Sequence, residues 1–210
     1  MSSIPVFVLG IKRNAERASA TAKHLKKIGF KNVSIYYGDD LKNNITYDDG
    51  KVIKPPQIVM WNALQILRKN RNLKELIYAE DDVRITKPQE LFQHLKGGIK
   101  GIDRLVYLDN IKVREKLRNR FKNKSALYGT QMIGYDNNAI NKLADVNKYS
   151  SYDIYLNLEH NQKIGKNYGF EYVYDKGENI HKHHTKKQRD FSVEFDKGNI
   201  PPVSSKRYKN

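Results

Sequence analysis

"IYAEDDVRI", residues 77 to 85, carries a short apolar run straight into three consecutive carboxylates. The length and β-branched and aromatic content of "ELIYA" (75–79) predict a buried strand, which leaves Glu80, Asp81 and Asp82 at its carboxyl end. Outward from that strand, strands and helices alternate. "IPVFVLGI" (4–11) reads as a first buried strand. "KRNAERASATAKHLKKIG" (12–29) reads as a helix with Asn14 as N-cap, an apolar stripe at Ala18, Ala22 and Leu25, and Gly29 as its stop. "NVSIYYG" (32–38) is a second strand, followed by a polar loop through Lys54, and Pro55–Pro56 open a helix to residue 70. Beyond the acids, Thr86-x-x-Gln89 has the capping-box spacing for a short helix ending at Gly97–Gly98. "RLVYL" (104–108) is a fourth strand, "ALYGTQMIGY" (126–135) a fifth strand or strand pair, and "NNAINKLADV" (137–146) and "SYDIYLNLEHNQ" (151–162) are helices. "EYVYD" (171–175) is a last strand. This alternation predicts an α/β fold with a mostly parallel sheet and helices on both faces. Ligands of such sheets bind beyond the carboxyl ends of the strands, where the acids stand.

A chain of 210 residues without cysteine is long enough for one sizeable core and excludes disulfides, thiolate metal sites and a cysteine nucleophile. Residues 4–11 lack a basic lead-in and contain Pro5, so they read as a strand rather than a signal peptide. No stretch approaches the length of a membrane span. The expectation is a cytoplasmic protein, in the host cytoplasm if it is phage-encoded. Lys and Arg number 39 against 23 Asp and Glu, a formal net charge of +16. Such a field attracts polyanions. Either the excess is a solvated lysine-rich surface, or it forms a basic face. The charge is clustered: residues 104–124 hold eight basic side chains, Arg114, Arg118, Arg120 and Lys122 among them, against Asp109 and Glu115. Residues 181–210 hold eight more against three acids. Clustering favours a basic face, with Arg114, Arg118, Arg120 and Lys122 as nucleic-acid contacts.

Three adjacent acids in a cleft call for a compensating cation, because like charges about 4 Å apart repel by roughly 4 kcal/mol at an effective dielectric near 20. A divalent Mg²⁺ or Mn²⁺ held by one or two carboxylates and by substrate phosphates answers that need. Strand alternation would turn Glu80 and Asp82 to one side and Asp81 to the other. A solvated acidic turn capping the next element is the alternative.

The order of these parts resembles glycosyltransferases of the GT-A fold, in particular the family 25 type that transfers lipopolysaccharide sugars. The matching segments are "VFVLGIKRNAERA", the helix and strand of "PQIVMWNALQILRKNRNLKELIYAEDDV", and more loosely "YGTQMIGYDNNAINKL" and "YDIYL". Coverage is about residues 4 to 160. Met60-Trp61-Asn62 stands where the family often has a Ser-His pair. The resemblance implies a GT-A-like nucleotide-sugar-binding catalytic domain over 1–176, with 177–210 as a basic, His-rich tail or lid of the same domain. It implies that Asp82 binds Mn²⁺ or Mg²⁺, that Glu80 and Asp81 contact the sugar and ribose of a UDP-sugar, and that Asp81 joins the catalytic set. Arg13 and Arg17 would meet the diphosphate, although Arg17 also suits a solvated helix face. Asp39 or Asp40 would accept from uracil or ribose. One of His181, His183 and His184 would complete the metal site, and Lys186 would lie beside the diphosphate. Asp153 is either a helix-capping residue, from Ser150-x-x-Asp153, or the general base of an inverting transfer.

The charge selects the acceptor. A transferase acting on DNA gains affinity from every phosphate it neutralises, so a phage-type enzyme adding sugar to a hydroxymethylated pyrimidine is the leading expectation. A lipopolysaccharide or capsule enzyme, a non-catalytic nucleic-acid-binding domain and a metal nuclease are the alternatives.

Overall fold

A computed structural model describes residues 1–12, 15–40, 45–46, 50, 52–53, 55–108, 128–150, 152–160, 162–164 and 166–171. In chain order the elements are β1 (Val6–Gly10), α1 (Ala15–Ile28), β2 (Val33–Tyr37), β3 (Ile45–Thr46), β4 (Val52–Ile53), α2 (Pro55–Lys69), β5 (Glu75–Glu80), β6 (Val83–Ile85), α3 (Pro88–Leu95), β7 (Ile102–Leu108), β8 (Tyr128–Asp136), α4 (Asn137–Ala144), α5 (Tyr152–Glu159), β9 (Gln162–Ile164) and β10 (Gly169–Glu171).

Six strands form the main sheet in the order β2-β1-β5-β8-β7-β9. β2, β1 and β5 are parallel. β8 runs antiparallel to both β5 and β7, and β9 returns parallel to β7. Five strands therefore share one direction and β8 opposes them, which fits the expected mostly parallel α/β sheet. Two small pairs, β6 with β10 and β3 with β4, flank it.

β5 shows why the sheet lies inside. Leu76, Ile77, Tyr78 and Ala79 are all buried, and they alternate between two cores. Ile77 and Ala79 join Val6, Val8, Leu105 and Met132 beneath α1 and α3. Leu76 and Tyr78 join Leu9, Ile133 and Tyr135 beneath α2, α4 and α5. A strand buried on both faces reads as an unbroken apolar run, as residues 75–79 do. On α1 the buried residues include the expected stripe of Ala18, Ala22 and Leu25, and Gly29 (φ +122°) stops the helix in a conformation suited to glycine. Gly10 brings α1 close to β1, since a Cβ there would lie 2.6 Å from Ala18 Cβ.

Four local expectations need correction. The capping box at Thr86 is not used: α3 starts from Lys87 with Pro88 in its first turn and no side-chain cap, while the Thr86 hydroxyl donates to Tyr168 O (3.5 Å). Proline already removes one of the orphan N–H groups a cap would serve. The helix expected over 151–162 ends at Glu159, and Gln162 opens β9, whose pairing with β7 overrides helical propensity. The polar loop after β2 contains a short hairpin, β3–β4. The last strand begins at Gly169 rather than Glu171, where antiparallel pairing with β6 starts. The expected Asn14 cap, residues 172–176 and the tail 177–210 lie outside the described residues.

Candidate functional site

The chain leaves β1 through α1 to reach β2, then crosses back through α2 to β5 on the other side of β1. α1 covers one face and α2 the other. Strand order thus reverses between β1 and β5, and the diverging connections open a crevice at their carboxyl ends, the usual ligand position of such sheets. Leu9 and Gly10 of β1 with Ile11 just after it, Val59 and Asn62 from α2, Glu80 at the end of β5 and Asp81 in the turn that follows line it.

The wall beyond β2 is built by Asn62. Its side chain accepts from the Asp39 N–H (2.9 Å) and donates to the Asp39 carbonyl (2.9 Å), closing a two-bond bridge to the end of β2. Gly38 makes room for it, since a Cβ there would fall 2.5 Å from Asn62 Cγ. The Trp61 indole N–H then donates to Asp39 Oδ2 (2.9 Å), which fixes that carboxylate beside the crevice. Trp61 and Asn62 therefore position the Asp39 carboxylate at this wall.

The acids divide. β5 ends at Glu80, and Asp81 and Asp82 form the turn into β6, so strand alternation does not govern them. Asp81 and Asp82 both face Arg17, at 3.7 and 3.3 Å, with the Arg17 side chain only 2% exposed. One helical turn on, the Thr21 hydroxyl donates to the Asp81 carbonyl (2.7 Å). Positions i and i+4 of α1 thus hold the turn together. This corrects one expectation for Arg17, which does not lie on a solvated helix face. It also corrects the expected facing, because Asp81 and Asp82 share a partner while Glu80 accepts a 2.6 Å hydrogen bond from the Thr130 hydroxyl on β8.

Beneath Glu80 lies a second buried cation. Arg104 on β7 is fully buried and donates to the Gly129 carbonyl. Burial lowers its pKa from the ordinary arginine value, a shift opposed by the nearby Tyr135, Asp153, Tyr152 and Glu80. Arginine nevertheless stays protonated. Arg104, expected as the first residue of the basic surface, instead belongs to the interior. Two register shifts in the β7–β8 pairing, between Arg104 and Leu108, accompany this insertion. Tyr135 and Tyr152 share a 2.6 Å hydroxyl hydrogen bond beside it. Burial pushes both phenols up, and Tyr78 likewise, with Glu80 the next cause at Tyr78. Asp153 sits half-buried in the first turn of α5, where its charge reaches Arg104.

The expected metal can be tested against these contacts. Among the described residues no three His, Cys, Asp or Glu side chains converge as ligands. Glu80 is engaged by Thr130, and Asp81 and Asp82 carry the Arg17 guanidinium. A divalent ion on the same oxygens would lie about 4 Å from a fixed positive charge, a repulsion of about 8 kcal/mol at an effective dielectric near 20. The described donor set does not fit a divalent ion while Arg17 holds the pair. Arg13, Lys186, His181, His183 and His184 lie outside the described residues, as do Arg114, Arg118, Arg120 and Lys122.

No family model matches the sequence, and no curated protein does. Solved structures are similar to it at low identity. The apo structure of the bifunctional WbbM is similar over 94% of this chain, at 10% identity and a TM-score of 0.49. This chain spans 45% of the length of that one. The galactosyltransferase LgtC, in complex with donor and acceptor sugar analogs, is similar over 90% of this chain and 83% of its own, at 10% identity and a TM-score of 0.47. A protein involved in glycosylating the major capsid of PBCV-1 is similar over 92% of this chain and 100% of its own, at 10% identity and a TM-score of 0.49. All three are glycosyltransferases.

Of the residues expected from the sequence, the structure brings Glu80, Asp81, Asp82, Arg17 and Asp39 to one sheet edge. Asp40 follows Asp39 at the end of β2, half-buried. Sequence reasoning missed Thr21, Asn62, Thr130 and the inward Arg104. Only Arg104 left a signal: a charged residue opening "RLVYL", an otherwise apolar run.

Proposed function

We propose that this chain is a glycosyltransferase that moves a sugar from a nucleotide-sugar, a UDP-sugar, to a hydroxyl on a polyanionic acceptor, best matched by a hydroxymethylated pyrimidine in phage DNA. The observation that carries the reading is the crevice at the β1–β5 switch point, with Glu80 and Asp81 on its rim and Asp39 held against its Asn62 wall. Fixed carboxylates at that position accept hydrogen bonds from ribose and sugar hydroxyls. The resemblance of its segment order to family 25 glycosyltransferases supports the same reading. In the reaction the acceptor hydroxyl oxygen attacks the anomeric carbon, the bond from that carbon to the diphosphate oxygen breaks, and UDP leaves with the electron pair. Asp153 takes the hydroxyl proton.

The net charge of +16 supports a polyanionic acceptor. The test incubates the full chain with a panel of UDP-sugars, with and without 5-hydroxymethylcytosine DNA or phosphorylated lipopolysaccharide. UDP release and nucleoside mass are followed. The expected result is UDP release accelerated by the DNA and a nucleoside heavier by one sugar residue. An unchanged nucleoside with a glycosylated lipopolysaccharide moves the acceptor to envelope glycans. Absence of both donor binding and UDP release ends the enzyme reading and leaves a nucleic-acid-binding domain. Asp153→Asn is expected to lower kcat at least about a hundredfold with KM within about threefold, the signature of a lost base rather than lost binding.

A further inference from the structure

The acids that open the sequence reading demand positive charge, and the fold supplies it from inside. We infer that Arg17 is the resident counter-ion of Asp81 and Asp82, that it closes this carboxylate pair to divalent cations, and that it acts as a positioning residue for the rim of the crevice. Three observations converge. The guanidinium faces both carboxylates, at 3.7 Å from Asp81 and 3.3 Å from Asp82, and the side chains of Arg17 and Asp81 are each 2% exposed. The helix that carries it is fixed by two further contacts: Thr21 donates to the Asp81 carbonyl, and Ala18 packs so closely on β1 that only glycine fits at position 10. The third member of the triplet is turned to β8, where Glu80 Oε1 accepts from Thr130.

Arginine cannot give up its proton, so its charge is present at every pH the fold survives. A divalent ion requires carboxylate oxygens within its own short coordination distance and several ligands besides. To seat one on Asp81 and Asp82 the guanidinium would have to leave a buried position, uncompensated, on a helix held by the Thr21 hydrogen bond and the close packing at Gly10. Arg17 therefore holds the turn after β5, and with it the alignment of Glu80 and Asp81 at the crevice. The inference deepens the proposed function by making this carboxylate pair a metal-free part of the donor site. Its test needs no turnover, so the two can fail separately.

Mn²⁺ binding is measured on the full chain by electron paramagnetic resonance of the free ion, for wild type, Asp82→Asn, Arg17→Lys, Arg17→Gln and the double variant R17Q/D82N. Wild type, Asp82→Asn and Arg17→Lys are expected to bind Mn²⁺ alike, with no site that depends on Asp82. Arg17→Gln is expected to gain Mn²⁺ affinity by at least about tenfold, because the pair then needs another cation, and R17Q/D82N to lose that gain. A wild-type site whose affinity falls about tenfold or more in Asp82→Asn overturns the inference. So does a folded Arg17→Gln protein that gains no Mn²⁺ site. Should Arg17→Gln not fold, the comparison of wild type with Asp82→Asn decides alone.

Discussion

His24 shows how much a single ring can tie together. It lies on α1 and its Nε2 accepts the Ile85 N–H (3.1 Å), joining the helix to β6 just beyond the acidic turn. Burial, reinforced by the nearby Arg84 charge, lowers its pKa to about 4. The folded chain thus resists a proton that the unfolded chain accepts from about pH 6.5 downward. Stability should be level above pH 6.5, fall as pH drops toward 4, and level again below that. Between pH 7 and 5 the expected loss is about 1 to 2 kcal/mol. Urea melts across that range check it, with His24→Gln as the control that keeps an acceptor and cannot titrate; an equal loss in both proteins would place the titrating group elsewhere. Arg104 carries a second prediction at this scale. Because it is fully buried against Gly129, with the charges of Glu80 and Asp153 nearby, Arg104→Met should cost about 3 to 5 kcal/mol, the range for breaking a buried charge pair. A loss below about 1 kcal/mol, the range of exposed pairs, would return it to the surface.

At the scale of elements, α1 matters most, because Arg17, Ala18, Thr21 and His24 all act from it. Its dock on β1 depends on one missing atom: Gly10→Ala would place a Cβ 2.6 Å from that of Ala18. The substitution should cost about 1 to 3 kcal/mol by overpacking. In an Ala18→Gly background the same change should cost less than about 1 kcal/mol, and denaturant melts of the four proteins measure the coupling. Equal costs in both backgrounds would mean that α1 rides free of β1. The core-facing stripe of this helix was legible because Ala18, Ala22 and Leu25 repeat with the helical period. Its polar work was not, since Arg17 and Thr21 look like any amphipathic flank until the acids arrive from 60 residues further along. The same limit explains the other misses. β5 announced itself as an apolar run, and its carboxyl end located the site. β8 running against its neighbours leaves no local mark, because direction is decided by which edge its connections reach. Asp136, which caps α4 by accepting from the Ala139 N–H (2.9 Å) and also accepts from the Gly101 N–H (2.6 Å), fell between the expected strand (126–135) and helix (137–146) with no role assigned. Where periodicity speaks the sequence is enough; where two distant polar groups meet, only the fold assembles them.

For the whole molecule the governing quantity is charge. A formal +16 predicts binding to polyanions, and the clustering of that charge predicts where. Removing Arg104 from the basic stretch leaves residues 112–124 still strongly basic, with Lys112, Arg114, Lys116, Arg118, Arg120, Lys122 and Lys124 at alternate positions. Each side chain that neutralises a DNA phosphate contributes about 0.9 to the slope of log affinity against log salt concentration. Replacing Arg114, Arg118 and Arg120 together by alanine should therefore flatten that slope by about 2 to 3 if each contacts phosphate, and weaken binding equally across DNA sequences. Fluorescence anisotropy at a series of salt concentrations reads the slope, and a melting curve on the same sample separates contact loss from unfolding. A triple variant that keeps its melting temperature to within a few degrees ties the change in slope to lost contacts. Arg104→Met provides the opposite control: it should destabilise while leaving the slope of its folded fraction unchanged. A slope that stays fixed in the triple variant would move the polyanion contact to another part of the chain, with the basic residues of 181–210 as the next set to replace.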